Sequence, residues 1–199
     1  MQIKRFQKQT ACIFVVLLVV NILSVTATVY YVDNSDIAIC ADAPDCGSSA
    51  KPWCTIAYAI GRIKAGDTLR IKKGLYSQKY TLNIQSTLSG SKENPTVIEA
   101  FENDSVIISG PGVNGGRVAV NGVAWLQLKK LQITHYNQGI HIQGASHDVT
   151  IDSCEVYEVG QEAIHVKENS SNITIQNCKI RLFCEYSSAV CVEFCTGGA

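Results

Sequence analysis

The sequence predicts an all-β chain wound as a parallel β-helix, a solenoid of about five coils with a short N-terminal capping helix. Short runs of β-branched residues alternate with polar ones at period two, as in strands that bury one face. These runs recur: residues 149–156 (Val-Thr-Ile-Asp-Ser-Cys-Glu-Val) match 173–180 (Ile-Thr-Ile-Gln-Asn-Cys-Lys-Ile) at an offset of 24. A second column repeats in step, with Gly139-Ile140-His141-Ile142 matching Ala163-Ile164-His165-Val166 at the same offset. Stacked coils of this length would pair each strand with its counterpart about 4.8 Å away and bury a continuous apolar column. A β-sandwich would also give evenly spaced strands. It would not return the same residue types at a fixed phase within each triplet.

The chain opens with Lys4, Arg5 and Lys8 and no acid, followed by an apolar run from Ala11 to Val20 that continues to Val25. Val25-Thr26-Ala27 supplies small residues at the −3 and −1 positions, so residues 1–27 read as a secretory signal peptide cleaved after Ala27. The apolar run is shorter than the roughly 20 residues of a membrane span. The whole chain has 199 residues, with 17 Lys+Arg against 17 Asp+Glu and nine Cys. Removing the leader takes three cations and Cys12, leaving 172 residues, eight Cys and a net charge of −3. That balance argues against a nucleic-acid partner, and a cleaved leader leaves no membrane anchor. An even cysteine count suits a secreted, oxidised protein. Asn103, Asn169 and Asn172 begin glycosylation sequons.

Residues 28–66 form the N-terminal cap. Within it Ile56, Ala59, Ile60 and Ile63 share one helical face, which would plug the open end of the stack. Residues 67–193 form the coils. The first holds strands at 67–71 and 80–84, and the second, looser one at 96–101, 106–108 and 118–120. The repeat then supplies 126–128, 131–133 and 140–142, the two aligned units above, and a last strand at 189–193. At the turn inside each unit, Ser153 and Asn177 stand where polar side chains can bond between coils.

The cap motifs Tyr30-Tyr31-Val32-Asp33, Pro52-Trp53-Cys54-Thr55-Ile56, Ala65-Gly66-Asp67-Thr68-Leu69 and Gly74-Leu75-Tyr76 resemble the opening of right-handed parallel β-helix proteins of the pectin-lyase-like superfamily. Residues 89–101 are similar to the start of the second coil in several polysaccharide lyase branches. The resemblance covers about residues 29–193. It implies a right-handed coil and a pectate-lyase-like protein that acts on or binds acidic extracellular polysaccharide. Lyases, hydrolases, epimerases and non-catalytic members share these coils, so the alternative is a non-catalytic glycan-binding or structural β-helix, a truncated paralogue included. Ca²⁺ enters by the resemblance alone. No catalytic motif of the superfamily maps onto the chain residue by residue.

A polysaccharide lyase neutralises a uronate carboxylate, removes the C5 proton and protonates the leaving oxygen. Alternation in Ile140-His141-Ile142 turns the isoleucines in and the histidine out. His165 then stacks on His141, and Cys191 takes the next rung. These two histidines and Lys167 are the catalytic candidates, with Gln143 and Glu162 as substrate-binding candidates and Glu158 and Glu168 in flanking turns. A stacked imidazole pair resists double protonation, which lowers the pKa of at least one member. The competing reading is a row of ordinary solvent-facing positions. Lys129-Lys130 reads as a solvated turn. No metal site is predicted: Asp148 and Asp152 belong to a different turn, and no pair of cysteines has C-x-x-C spacing.

Among the disulfide candidates, Cys40, Cys46 and Cys54 lie in the cap, where a bridge would staple a loop-rich segment. Cys154 and Cys178 share an inward phase on adjacent coils, so either a bridge or a reduced stack fits. Cys184, Cys191 and Cys195 crowd the C-terminus. Residues 194–199 form a tail with no cap signal. That suggests a truncated product, end-to-end self-association, or a cysteine-rich tail folded back as a lid.

Overall fold

Three parallel sheets wrap a single apolar column. The computed structural model describes residues 27–181. Residues 1–26, the predicted strand at 189–193, and Cys184, Cys191 and Cys195 lie outside the described residues. Sheet A stacks β1 (Val29–Val32), β2 (Thr68–Ile71), β5 (Thr96–Ala100), β8 (Ala124–Lys129), β11 (His147–Asp152) and β14 (Ser171–Gln176) in that order. Sheet B stacks β3 (Gly74–Ser77), β6 (Val106–Ser109), β9 (Gln132–Thr134), β12 (Glu155–Tyr157) and β15 (Lys179–Arg181). Sheet C stacks β4 (Leu82–Gln85), β7 (Val118–Asn121), β10 (Ile140–Gln143) and β13 (Ile164–Val166). Each coil runs from A to B to C, as expected of a right-handed parallel β-helix.

The register follows the repeat. Val149 pairs with Leu126 below and Ile173 above, and Ile140 with Val118 and Ile164. Inward phases stack aliphatic on aliphatic, and Leu126, Ile133, Ile140 and Ile151 are fully buried. Each such side chain contributes about 1.5–3 kcal/mol by leaving water. The sequence reading passed over β3. Its inward residue, Tyr76, is aromatic and lies between the exposed Leu75 and Ser77, and its hydroxyl donates to the Lys72 carbonyl at 2.8 Å.

A tight bend joins sheet A to sheet B. Glu102, Lys130, Ser153 and Asn177 occupy it on successive coils, all left-handed with φ of 49–55°. Ser153 and Asn177 do not bond to each other. Both donate instead to Asp152 Oδ1, at 3.0 and 2.9 Å. A carboxylate at the strand end accepts from two coils at once, which a hydroxyl facing an amide does not.

The cap is tied into the first coil. β1 is the first strand of sheet A, paired with β2. The helix α1 (Ile56–Ile60) buries Ile56, Ala59 and Ile60, and Thr55 caps its N-terminus. Asp42 accepts from the Cys54 and Thr55 backbone N–H groups and the Thr55 hydroxyl, fixing where the helix starts. Trp53, 2% exposed, stacks on Tyr30 with ring centroids 5.0 Å apart. Gly47 sits at φ +108°, and a Cβ there would lie 2.7 Å from the Trp53 ring. Cys40 and Cys54 form a disulfide, while Cys46 is free and buried. Cys154 and Cys178 are also free, so the reduced stack holds for this pair. The neighbouring Cys178 thiol, reinforced by burial, raises the Cys154 thiol far above its usual range.

Candidate functional site

The outward face of sheet C brings the predicted residues together. Parallel pairing puts Asn83, Ala119, His141 and His165 in one outward column. Beside it runs Gln85, Asn121 and Gln143, with Lys167 one position past Val166, the partner of Ile142. The imidazoles of His141 and His165 stack 5.0 Å apart, 16° from parallel.

His141 departs from the solvent-facing expectation. It occupies the outward phase yet is 1% exposed. The reason lies one column over, where Arg117 pairs with the position of Gly139. From there the Arg117 guanidinium reaches across to donate to His141 Nδ1. That bond assigns the proton to Nε2, which is itself buried with no hydrogen-bond partner; His165 Nδ1 is likewise unpartnered. Burial first, then the positive charges of Arg117 and Lys167, then His165, push His141 down to about 4 from its ordinary 6.5. The stacked partner contributes to the depression as the sequence suggested, but burial dominates.

The acidic neighbours are engaged. Glu162 accepts from Gln138 Nε2 at 2.9 Å and stands 3.9 Å from His165 Nδ1. The Gln138 bond, with smaller contributions from the two histidines, holds its carboxyl below the usual range. Lys167 Nζ lies 3.4 Å from Glu168, whose other oxygen accepts from the Gly144 N–H. Glu158 belongs elsewhere: it faces His135 at 3.6 Å beyond sheet B.

Sequence reasoning missed Arg117. It carries no signal in its own segment, because only the strand register brings it to His141. Among the described residues Arg70 and Arg181 pair with Glu99 and Glu155, and Arg62 lies over the Tyr58 ring. Arg117 has no carboxylate partner there. Most of its five donors remain available on a face with two unpartnered imidazole nitrogens.

Asn103, Asn169 and Asn172 are exposed. The Asn172 amide donates to Asp148. Among the described residues no three His, Cys, Asp or Glu side chains converge as a metal site would need.

Known proteins share this fold. A family profile, Pel9A-like, right handed beta helix region, matches residues 36–181. The chain belongs to that family. Pectate lyase PEL9 of Emericella nidulans is 28% identical over 144 residues, covering 63% of this chain and 35% of its own length. Uncharacterized protein YwoF of Bacillus subtilis is 31% identical over 118 residues, covering 53% of this chain and 24% of its own length. Among solved structures, an alginate lyase from Paenibacillus sp. str. FPU-7 aligns with a TM-score of 0.55 and 23% identity, over 62% of this chain and 40% of its own. That likeness shows the fold. This Pel9A-like chain spans about a third or less of the length of the curated relatives it matches.

Proposed function

We propose that this Pel9A-like protein is exported and engages an acidic extracellular polysaccharide along the outward face of sheet C, with Arg117 receiving a uronate carboxylate. The observation that carries the reading is an arginine without a carboxylate partner among the described residues, beside two imidazoles with unpartnered nitrogens. A planar guanidinium takes a carboxylate through two parallel hydrogen bonds, and a charged pair of that kind is stronger than a neutral one. His141 holds Arg117 through a neutral ring, because a charged imidazolium could not accept the Arg117 proton. Its low pKa keeps it in that form at neutral pH. His165 and Lys167 flank the same position, and the Glu162 and Glu168 carboxylates balance the two fixed cations.

That balance favours a second reading, binding without cleavage. A lysine base must be free to take the C5 proton, whereas Lys167 Nζ lies 3.4 Å from the Glu168 carboxylate. Oligogalacturonides and oligouronates from alginate, assayed with and without added Ca²⁺, separate the two. Saturable binding lost in Arg117→Ala supports the site. The appearance of ultraviolet-absorbing unsaturated uronate ends makes it a lyase site. Binding without such ends makes it a binding module, and neither binding nor product overturns the proposal. Export is checked by finding the full chain in the culture medium and the chain without residues 1–27 retained in the cells.

A further inference from the structure

The outward face of sheet A holds a second groove, of about 140 Å³, on another side of the coil. Gln127, Thr150 and Thr174, one per rung, form its floor. Trp125, Asp148 and Asn172 form one wall, and Lys92 and Pro95 border it from the loop before β5.

The wall residues share an unusual backbone. Trp125, Asp148 and Asn172 have φ of 54°, 54° and 50°. In each rung the pairing jumps over them, from Ala124↔His147 to Leu126↔Val149, and from His147↔Ser171 to Val149↔Ile173. Irregular strand positions of this kind re-aim a side chain, and they cluster beside binding sites. Asp and Asn tolerate the left-handed region because their short side chains bond locally; a bulky indole does not. Strain kept in place by its surroundings marks functional positions. The strained backbone presents a half-buried indole to the groove instead of a compact amide.

The floor is unspent. Among the described residues no side-chain hydrogen bond is made by Trp125, Gln127, Thr150 or Thr174. The next column of the same sheet contrasts with it, since there Glu99 takes Arg70 and Asp152 takes Asn177. An aromatic face beside free hydroxyls and an amide matches a pyranose ring, whose C–H face stacks on indole while its hydroxyls find polar partners.

We propose that this groove is a second carbohydrate-binding site, taking one ring of a free glycan chain on Trp125, independently of sheet C. The chain has two tryptophans, and Trp53 is buried, so ligand-induced fluorescence change reports Trp125. The test uses the full chain carrying Arg117→Ala, titrated with oligogalacturonides, alginate oligouronates and neutral galacto-oligosaccharides. At least one should give a saturable fluorescence response. Calorimetry on the additional variant Trp125→Asn should then show affinity lower by about tenfold or more, with unchanged or raised thermal stability because the backbone strain is relieved. Thr150→Ala should weaken binding without shifting the fold. No saturable response from any glycan overturns the proposal, as does unchanged affinity in Trp125→Asn. So does a response that emerges only after Asn172→Gln, since the groove would then hold the protein's own Asn172-linked glycan. None of these outcomes bears on Arg117, which has already been removed.

Discussion

Two outward columns of the same solenoid share rung spacing and pairing rules but differ in what their charges do. On sheet A, Arg70, Glu99, Lys129 and Asp152 alternate in sign from rung to rung, so neighbours neutralise one another. On sheet C, Ala119 interrupts the column and Arg117 reaches across to a histidine instead of an acid. The difference is one of register. A parallel ladder stacks like positions, so an alternating column satisfies itself, whereas a column with small residues leaves long side chains reaching diagonally with donors to spare. Structural and functional faces can thus be built from one backbone.

The largest test concerns the close packing at Gly139. A Cβ at Gly139 would lie 2.3 Å from the Ala163 carbonyl oxygen and 2.6 Å from Val156 Cγ1. Gly139→Ala should therefore cost about 3 kcal/mol in urea unfolding; a variant as stable as the parent would show that the close approach is not required. Next comes pH. His141 binds its proton more weakly folded than unfolded, so its stabilisation is complete above about pH 6.5 and is lost as pH falls toward 4. The loss should reach about 2–3 kcal/mol at most. His141→Gln should flatten the part of the slope between pH 5 and 6.5, leaving the part below, where Glu162 and Asp152 take up protons.

Paired arginine variants sharpen the contrast. Arg117→Ala should lower affinity for oligouronates about tenfold or more and, by taking the donor from His141 Nδ1, cost about 1 kcal/mol of stability. Arg70→Ala should leave binding intact and cost under about 1 kcal/mol, as an exposed ion pair does. If both variants bind equally well, the two columns do not differ in function. The smallest effect belongs to the bend between sheets A and B. Asp152→Ala strips the acceptor from Ser153 and Asn177 and should cost about 1 kcal/mol in thermal unfolding.

The coil and its register were legible because the 24-residue repeat is printed in β-branched residues at fixed phase. His141 above His165 followed from that offset alone. What escaped were features set between rungs. The burial of His141 involves Arg117, whose place beside it is visible only after the 22-residue step from Val118 to Ile140 is known. Trp125 escaped too, because a left-handed residue inside an apparent strand leaves no periodic trace. Asp152 was read only as remote from any metal, although its carboxylate is the shared acceptor at the bend.

β1 adds a kinetic dimension. Because a cap strand is itself the first rung of sheet A, the disulfide-closed segment around Trp53 offers a finished edge before any later coil exists. Each following coil needs only the one beneath it, so contacts close over tens of residues and winding can proceed in the order of synthesis. The cap is thereby a template as well as a plug, and damage to it would slow the winding of every coil above.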